Sequence, residues 1–496
     1  LERKGWPKEM IDQIELYPHQ KRALNKARSN NFCLGIFHEP GLGKTILSLK
    51  IYSEIKKIKP SVKMVIFCPK SIINSVWVAT IKEIFPKLIV IKDITRVRGG
   101  KIPYFFDILV INYEKIVSNR YFEMIKDILN ECTDVLCVLD ESSRIKNIKS
   151  ITTKRILSLK PYAEYRVVLS GTPSPNTILE LYPQITFIND NILGGSYYKF
   201  RNNYASLHRG NYVIKNIAGL NILEMMKNGW DMRVSEENCA NLLEKIDCVT
   251  DFQNKKIINL PGKNKKIVYV CQSTEFYRLY RIAERDFIVT IEENNVGIPN
   301  QMSKMTKLRQ ICSGFIYKNE QDKEIIMIKD NRKIASFNEI VVEIGEKQAV
   351  VWVTFNAEYD LISEALSSLN KTFCVLRESS GVSYGDIISD FSKNKFQFLI
   401  ANPSVGGHGH NFVFCHIGIY FSFDYSFEKH SQSIDRFHRM GQENPCVYYY
   451  LVCLNTIEED ILDSLENKKT MVDFIHHVSD RIKSSSYYDN RETNRS

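Results

Sequence analysis

The chain has 496 residues, about three times the ~150-residue prior for one domain, so two or three domains with real cores are expected. Hydrophobic residues at 44% and charged residues at 25% exclude a collagen-like, coiled-coil or wholly disordered chain. The 67 lysines and arginines against 57 acids leave +10, a moderate basic excess that suits a polyanionic partner without requiring one.

Twelve cysteines are scattered without any C-x-x-C pair, which argues against structural zinc and for reduced thiols in a cytoplasmic or nucleoid-associated setting. The most apolar window, Phe412 to Phe423, spans about twelve residues against the roughly twenty of a membrane-crossing helix, so no membrane span is expected. The opening LERKGWPKEM has no apolar core, which argues against secretion.

In chain order, a first block alternates helical patterns with short β-rich runs: FCLGIF (Phe32–Phe37), KMVIFC (Lys63–Cys68), DILVIN (Asp107–Asn112), DVLCVL (Asp134–Leu139) and RVVLS (Arg166–Ser170). From about 191 to 333 the pattern loses its strands and turns helix-like and charged, with LNILEMMKN, ENCANLLEKI, TEFYRLYRIAERDF and KMTKLRQIC as its clearest segments. The aromatics Phe276, Tyr277 and Tyr280 recur there at helical spacing and read as packing. A second block follows with AVVWVTF (Ala349–Phe355), TFCVL (Thr372–Leu376), FQFLIA (Phe396–Ala401), IGIYF (Ile417–Phe421) and VYYYLV (Val447–Val452). Strands alternating with helices specify parallel sheets wrapped by helices, hence an α/β class with two parallel-sheet lobes and a helical insertion and linker between them. The expected limits are 1–190, 191–333, 334–475 and a polar tail at 476–496.

GLGKT (Gly41–Thr45) lies between the first strand and an amphipathic stretch, the context a phosphate loop demands. Glycine lets backbone amides approach phosphate oxygens, Lys44 reaches the β- and γ-phosphates, and the Thr45 hydroxyl can bind Mg²⁺. His38 occupies the position of the pattern's first glycine. About 95 residues on, Asp140 and Glu141 end the run DVLCVL, where open parallel sheets put their ligands. In a nucleotide site Asp140 holds Mg²⁺ and Glu141 deprotonates the attacking water. In QSIDRFHRMGQ, Arg436 and Arg439 are three apart, which predicts a shared helical face of two guanidiniums suited to a phosphoryl transition state. His408 and His410 lack further ligands at suitable spacing, so no metal besides Mg²⁺ is expected.

Taken in order, these segments resemble the Swi/Snf ATPase family of helicase superfamily two, over about Leu16 to Leu462. LYPHQ (Leu16–Gln20) is similar to its Q motif and EPGLGKT to its phosphate loop, where a non-glycine at His38 is normal. CPKSIINSVW (Cys68–Trp77) is similar to motif Ia, INYE (Ile111–Glu114) to its neighbour, DESSRIKN (Asp140–Asn147) to motif II, and LSGTPSPN (Leu169–Asn176) to motif III. KLRQICSG (Lys307–Gly314), VGGHGHNF (Val405–Phe412), QSIDRFHRMGQ (Gln432–Gln442) and NTIEEDIL (Asn455–Leu462) continue the order.

The resemblance implies two RecA-like lobes with ATP and Mg²⁺ between them. Gln20 would read adenine, Gly41, Leu42, Gly43, Lys44 and Thr45 would hold phosphates and metal, Asp140 and Glu141 would act on metal and water, and Arg436 and Arg439 would come from the second lobe. Coupling would run through Ser143, Ser170, Gly171, Thr172 and Gln432, and DNA phosphates would meet Lys70, Asn112, Lys146, Arg309, Gly407 and Asn411. Motif II departs from the usual Asp-Glu-Ala-His, with Ser143 in place of the histidine that links the ATP site to motif III, so a substitute link is expected from Ser170 or His38.

The expected activity is ATP-dependent translocation on duplex DNA, including forked or branched DNA, in repair, recombination or replication. A compact motor of this kind is of the sort large viruses or phages encode. The alternatives are a strand-separating DNA or RNA helicase and a nucleotide-gated DNA-binding scaffold with weak turnover.

Overall fold

The computed structural model describes residues 10–92, 106–174, 178–204, 236–257, 260–292, 298–317, 325–328, 331–377, 384–403 and 412–467, with short strands between 206 and 233. The chain divides into two compact units, Leu1–Asn259 and Leu260–Ser496.

In the first unit the strands are β1 (Cys33–His38), β2 (Lys63–Cys68), β3 (Val90–Lys92), β4 (Ile108–Asn112), β5 (Val135–Asp140) and β6 (Tyr165–Leu169). Five short ones follow, β7 (Ser206–His208), β8 (Lys215–Ile217), β9 (Leu220–Ile222), β10 (Met226–Lys227) and β11 (Trp230–Arg233), before β12 (Thr250–Gln253). The main sheet is parallel throughout, in the order β12-β1-β6-β5-β2-β4-β3. β4 and β5 are buried along their whole length because helices cover both faces, which is why they read as unbroken apolar runs rather than alternating ones. Alternate side chains feed two cores: Met64, Ile66 and Cys68 of β2 enter one, Val65 and Phe67 the other.

The second unit contains β13 (Lys263–Val270), the antiparallel hairpin β14 (Phe315–Tyr317) and β15 (Ile325–Met327), then β16 (Ala349–Trp352), β17 (Phe373–Leu376), β18 (Phe398–Ala401), β19 (Ile417–Tyr420) and β20 (Cys446–Cys453). Its main sheet, again parallel, runs β13-β20-β19-β16-β18-β17 around a single core. Phe276 and Tyr280 are each 1% exposed within that core, as their spacing suggests, and Tyr277 packs against its margin.

The stretch 191–333 holds strands that its composition does not announce. β12 returns to the edge of the first sheet beside β1, pairing His38 with Gln253, and β13 forms the edge of the second, pairing Lys263–Val270 with Cys446–Cys453. Five of the eight residues of β13 are exposed and three of those are lysines, so this edge strand looks like a charged linker in sequence while discouraging edge-to-edge association. LNILEMMKN, expected to be helical, instead supplies β9 and β10; Leu220–Ile222 pairs antiparallel with Lys215–Ile217. The helices Glu236–Asp247, Thr274–Glu292 and Ile298–Ser313 contain the other three expected segments. Residues 476–496 lie outside the described residues. Among the described residues no helix is long and apolar enough to cross a membrane.

One buried ion pair ties the second unit together. Lys333, fully buried in the helix Arg332–Ile344, meets Glu458 of the helix Ile457–Asn467, whose Oε2 also accepts from Cys453 N at 2.9 Å. Burial by itself lowers the Lys333 pKa, but the Glu458 carboxylate reverses this and raises it, so the lysine stays charged. Removing one partner strands the other without a counter-charge. Lys333→Met is therefore expected to cost about 3–5 kcal/mol in denaturant unfolding. Adding Glu458→Gln should recover more than half of that loss.

Candidate nucleotide site on the first unit

Parallel pairing sets three strand ends level. Leu169 of β6 stands opposite Ile36 of β1 on one side and Asp140 of β5 on the other, so the loops that follow all leave from the same carboxyl edge. These loops carry GLGKT, Glu141 to Ile145, and Ser170 to Pro173.

The glycine loop is shaped by two left-handed residues, Gly41 at φ 89° and Gly43 at φ 74°, and Gly43 caps the helix Lys44–Ile58. The helix thus presents its positive end and free amides where an anion would sit. Gln20, 3% exposed in the helix Pro18–Ser29, donates to the carbonyls of Leu42 and Gly43 at 3.3 Å each and accepts from Tyr17 N at 3.0 Å. The His19 ring nitrogen lies 3.2 Å from Leu42 O. In this geometry Gln20 braces the loop; reading adenine would require its amide to release one of these contacts. Lys44 turns back on the loop, donating to His38 O at 2.6 Å and Glu39 O at 3.4 Å. Thr45, at the second position of the same helix, is half-buried.

His38 is fully buried, and its Nε2 lies 2.7 Å from Asp251 Oδ2 on β12. Arg22 clamps the same carboxylate with Nε to Oδ1 at 2.8 Å and an NH2 contact to Oδ2 at 3.0 Å. Desolvation lowers the His38 pKa against the pull of Asp251, so the ring is neutral near pH 7. Burial alone would raise Asp251, but the hydrogen bonds from His38 and Arg22 win and lower it. No motif marks Asp251: it lies 213 residues beyond His38 and joins the site only because β12 pairs with β1.

Asp140 ends β5 with 8% exposure. Its Oδ2 accepts from Trp77 Nε1 at 2.8 Å and its Oδ1 from Glu141 N at 3.0 Å. Desolvation, reinforced by Glu141, pushes its pKa up to about 6, with the Trp77 hydrogen bond and Lys44 opposing. Trp77 is fully buried in a π-helical turn, Ile73–Val78, a type of irregularity common at functional sites. The signal for it was a tryptophan inside an apolar run, whose buried N–H needs an acceptor. Glu141 is half-buried at φ 51°, ψ 55°, a left-handed conformation that strains a non-glycine residue.

The Ser170–Pro173 segment packs against the glycine loop. A Cβ on Gly171 would come within 2.7 Å of the Pro40 ring, so only glycine fits. Ser170 is buried and its Oγ accepts from Thr172 N at 3.1 Å. The side chains of Ser170 and His38, expected to replace the missing motif II histidine, are thus directed to Thr172 and Asp251. Ser143 is 7% exposed and its carbonyl accepts from Lys146 N at 3.2 Å.

In the second unit the helical face expected for Arg436 and Arg439 is not present. The helix Phe427–Ile434, which carries Gln432, ends at Asp435, and both arginines follow in a run of tight turns. The backbone N–H groups of Phe437 and His438 both donate to Ile434 O at 3.2 Å, and Phe437 enters the core against Trp352, Phe412 and Tyr448. Arg436 and Arg439 flank that anchor and are each half-buried. Burial lowers the Arg439 pKa while Asp435 raises it, without approaching neutrality. Gln442 also escaped the sequence reading; its Nε2 donates to Val413 O at 3.0 Å, Cys415 O at 3.1 Å and Phe437 O at 3.3 Å and fixes the end of these turns.

The residues assigned to DNA by resemblance fall in different environments. Lys70 is exposed just beyond β2. Lys146 lies 3.7 Å from Glu180. Asn112 is 7% exposed and caps the turn Tyr113–Val117, its Oδ1 accepting from Glu114 N at 2.6 Å. Arg309 is 6% exposed, donates to Phe423 O at 3.0 Å, and stacks over Phe355. The side chains of these last two are enclosed by their own unit. Gly407, Asn411, His408 and His410 lie outside the described residues.

Comparison with known families settles the lineage: the SNF2-related domain matches residues 19–314, more than half of the chain. The chain belongs to the SNF2-related family. It is 23% identical over 93% of its length to an uncharacterized ATP-dependent helicase of Mycoplasma genitalium, covering 42% of that protein. It is 26% identical over 73% of its length to the DNA repair and recombination protein RDH54 of Saccharomyces cerevisiae, covering 38% of it. The ATP-dependent helicase FUN30 of Saccharomyces cerevisiae is 22% identical over 95% of the chain, which covers 48% of that relative. The chain thus spans about two fifths to one half of the length of these curated relatives. Among solved structures, the Sulfolobus solfataricus SWI2/SNF2 ATPase core in complex with dsDNA is 22% identical, with 94% of this chain and 93% of that one covered and a TM-score of 0.43.

A carboxyl raised by burial is a cost that a bound cation would relieve. The folded-state pKa of Asp140 lies above its ordinary value of 3.8, so stability is lost as pH rises from about 4 to about 6. Asp140→Asn removes the charge and keeps an acceptor for Trp77, but turns its amide NH2 toward the Glu141 N–H. In Mg²⁺-free buffer its stability relative to the parent should therefore improve by about 1–3 kcal/mol between pH 4 and pH 7, as thermal unfolding across that range would show.

Proposed function

We propose that this SNF2-related chain is an ATP-dependent double-stranded DNA translocase, acting on forked or branched DNA in repair, recombination or replication. The observation that carries the proposal is the meeting of the glycine loop, the Asp140–Glu141 pair and the Ser170–Pro173 segment at one carboxyl edge of a parallel sheet.

The residues present fit ATP and Mg²⁺. Lys44 carries its charge at a helix N-terminus and satisfies it on carbonyls, contacts that phosphate oxygens would replace. Asp140 and Thr45 would hold the metal, a carboxylate and a hydroxyl oxygen suited to a hard cation. When bound, Mg²⁺ neutralises charge on the phosphates. Gly41, Leu42 and Gly43 orient the phosphates through the loop backbone, and Gln20 keeps that backbone in place. Glu141, next to the metal carboxylate and held in a strained conformation, accepts the proton of the attacking water. Arg436 and Arg439, supplied by the second unit, would stabilise the charge that develops on the transferred phosphoryl group. Lys70 and Lys146 supply positive charge for the DNA backbone, which makes binding tolerant of sequence and steeply weaker with salt.

Glu141→Gln is expected to lower DNA-stimulated ATP turnover by about 10²- to 10⁴-fold with little change in the KM for ATP. Lys44→Ala should abolish turnover through lost nucleotide binding. ATP consumption by either variant equal to that of the parent would remove the motor and leave a DNA-binding scaffold. In the parent, ATP-driven displacement of a triplex strand without separation of a forked duplex is expected; separation would instead identify a strand-separating helicase.

A further inference from the structure

Gln184 sits in the helix Leu181–Ile188 and is fully buried. Its Nε2 donates to Pro173 O at 2.5 Å and to Glu180 O at 2.8 Å. Two carbonyls at one end of the amide fix its orientation, since the flipped form would set Oε1 against both of them. Oε1 therefore faces Ser142, whose hydroxyl donates to it at 2.6 Å. Ser142 is also fully buried and immediately follows the strained Glu141. A single side-chain amide, with both its hydrogens and its oxygen matched, thus joins the turn that carries the acidic pair to the Ser170–Pro173 segment. In so dry a setting neither end can move alone without leaving a polar atom unmatched. Glu180, whose backbone carbonyl is the second of these acceptors, separately sets its side-chain carboxylate 3.7 Å from the Lys146 ammonium at the margin of motif II.

We propose that Gln184 is a positioning residue that couples the Ser170–Pro173 segment to Glu141 through the Ser142 hydroxyl. It takes the linking role that position 143, a serine in this chain, does not fill. The inference rests on the ATP-hydrolysing reading of the site. Gln184 touches neither phosphate nor water in this scheme; it sets where the Glu141 carboxylate stands when the neighbouring segment is engaged.

The test is steady-state ATP hydrolysis with and without saturating linear duplex DNA, beside thermal unfolding, for the parent, Gln184→Leu, Ser142→Ala, Ser142→Thr and the double variant Ser142→Ala/Gln184→Leu. Gln184→Leu and Ser142→Ala should each lower DNA-stimulated kcat by about tenfold or more while the KM for ATP stays within about twofold. Each single change leaves buried polar atoms unmatched, so unfolding temperatures should fall somewhat below that of the parent while every variant stays folded at the assay temperature. The double variant should be no slower than Gln184→Leu, because both changes break one connection, and Ser142→Thr, which keeps the hydroxyl, should retain the stimulated rate. Parental stimulation in Gln184→Leu would overturn the proposal. So would a loss of rate that comes with a matching rise in KM, or losses that simply multiply in the double variant. A parent with no DNA-stimulated turnover would remove the motor reading itself, and this inference with it.

Discussion

The parallel pairing of β1, β6 and β5 is the constraint on which the first unit depends. With Leu169 opposite both Ile36 and Asp140, the three strands end at one level, and their loops have no choice but to meet. A slip of one residue in either pairing would turn Asp140 to the other face of the sheet and separate it from Trp77. The apolar cores on both faces hold that register, because every residue of β5 is buried and a slip would exchange the two cores' side chains. Packing thereby fixes the chemistry.

The polar groups at this edge are arranged so that few are left unmatched. Gln20, Gln184 and Gln442 are buried amides that each gather several backbone partners, two in the first unit and one in the second. Arg22 and His38 do the same for Asp251. Against this background the exceptions stand out: a buried carboxyl at Asp140 whose pKa burial raises to about 6 and a left-handed Glu141. Both cost the fold stability, the pattern expected where stability and function compete.

Much of the fold was legible because its central strands are short, apolar and β-branched, and all ten strands read from the sequence are present. The motifs were legible because a phosphate loop needs glycine, lysine and a hydroxyl within a few residues. Contacts between distant segments were not. Asp251, Trp77 and Gln184 reach the site through sheet pairing and helix packing, and nothing near them in sequence marks the acceptors they meet. β13 was hidden by lysines that suit an edge, and the three-residue spacing of Arg436 and Arg439 suggested a helix that ends before them, at Ile434. Spacing alone cannot show that Phe437 is drawn into the core and breaks the helical course. Asn112 and Arg309 were assigned by motif position, which does not show that both side chains are buried.

The most direct measurement of the central claim is ATP hydrolysis by the full chain as a function of the length of linear duplex DNA at fixed concentration of DNA ends. A motor that moves along the backbone spends more time bound on longer tracks, so turnover should rise with length and then level off. Turnover that is independent of duplex length, or unchanged by duplex DNA of any length, would contradict it.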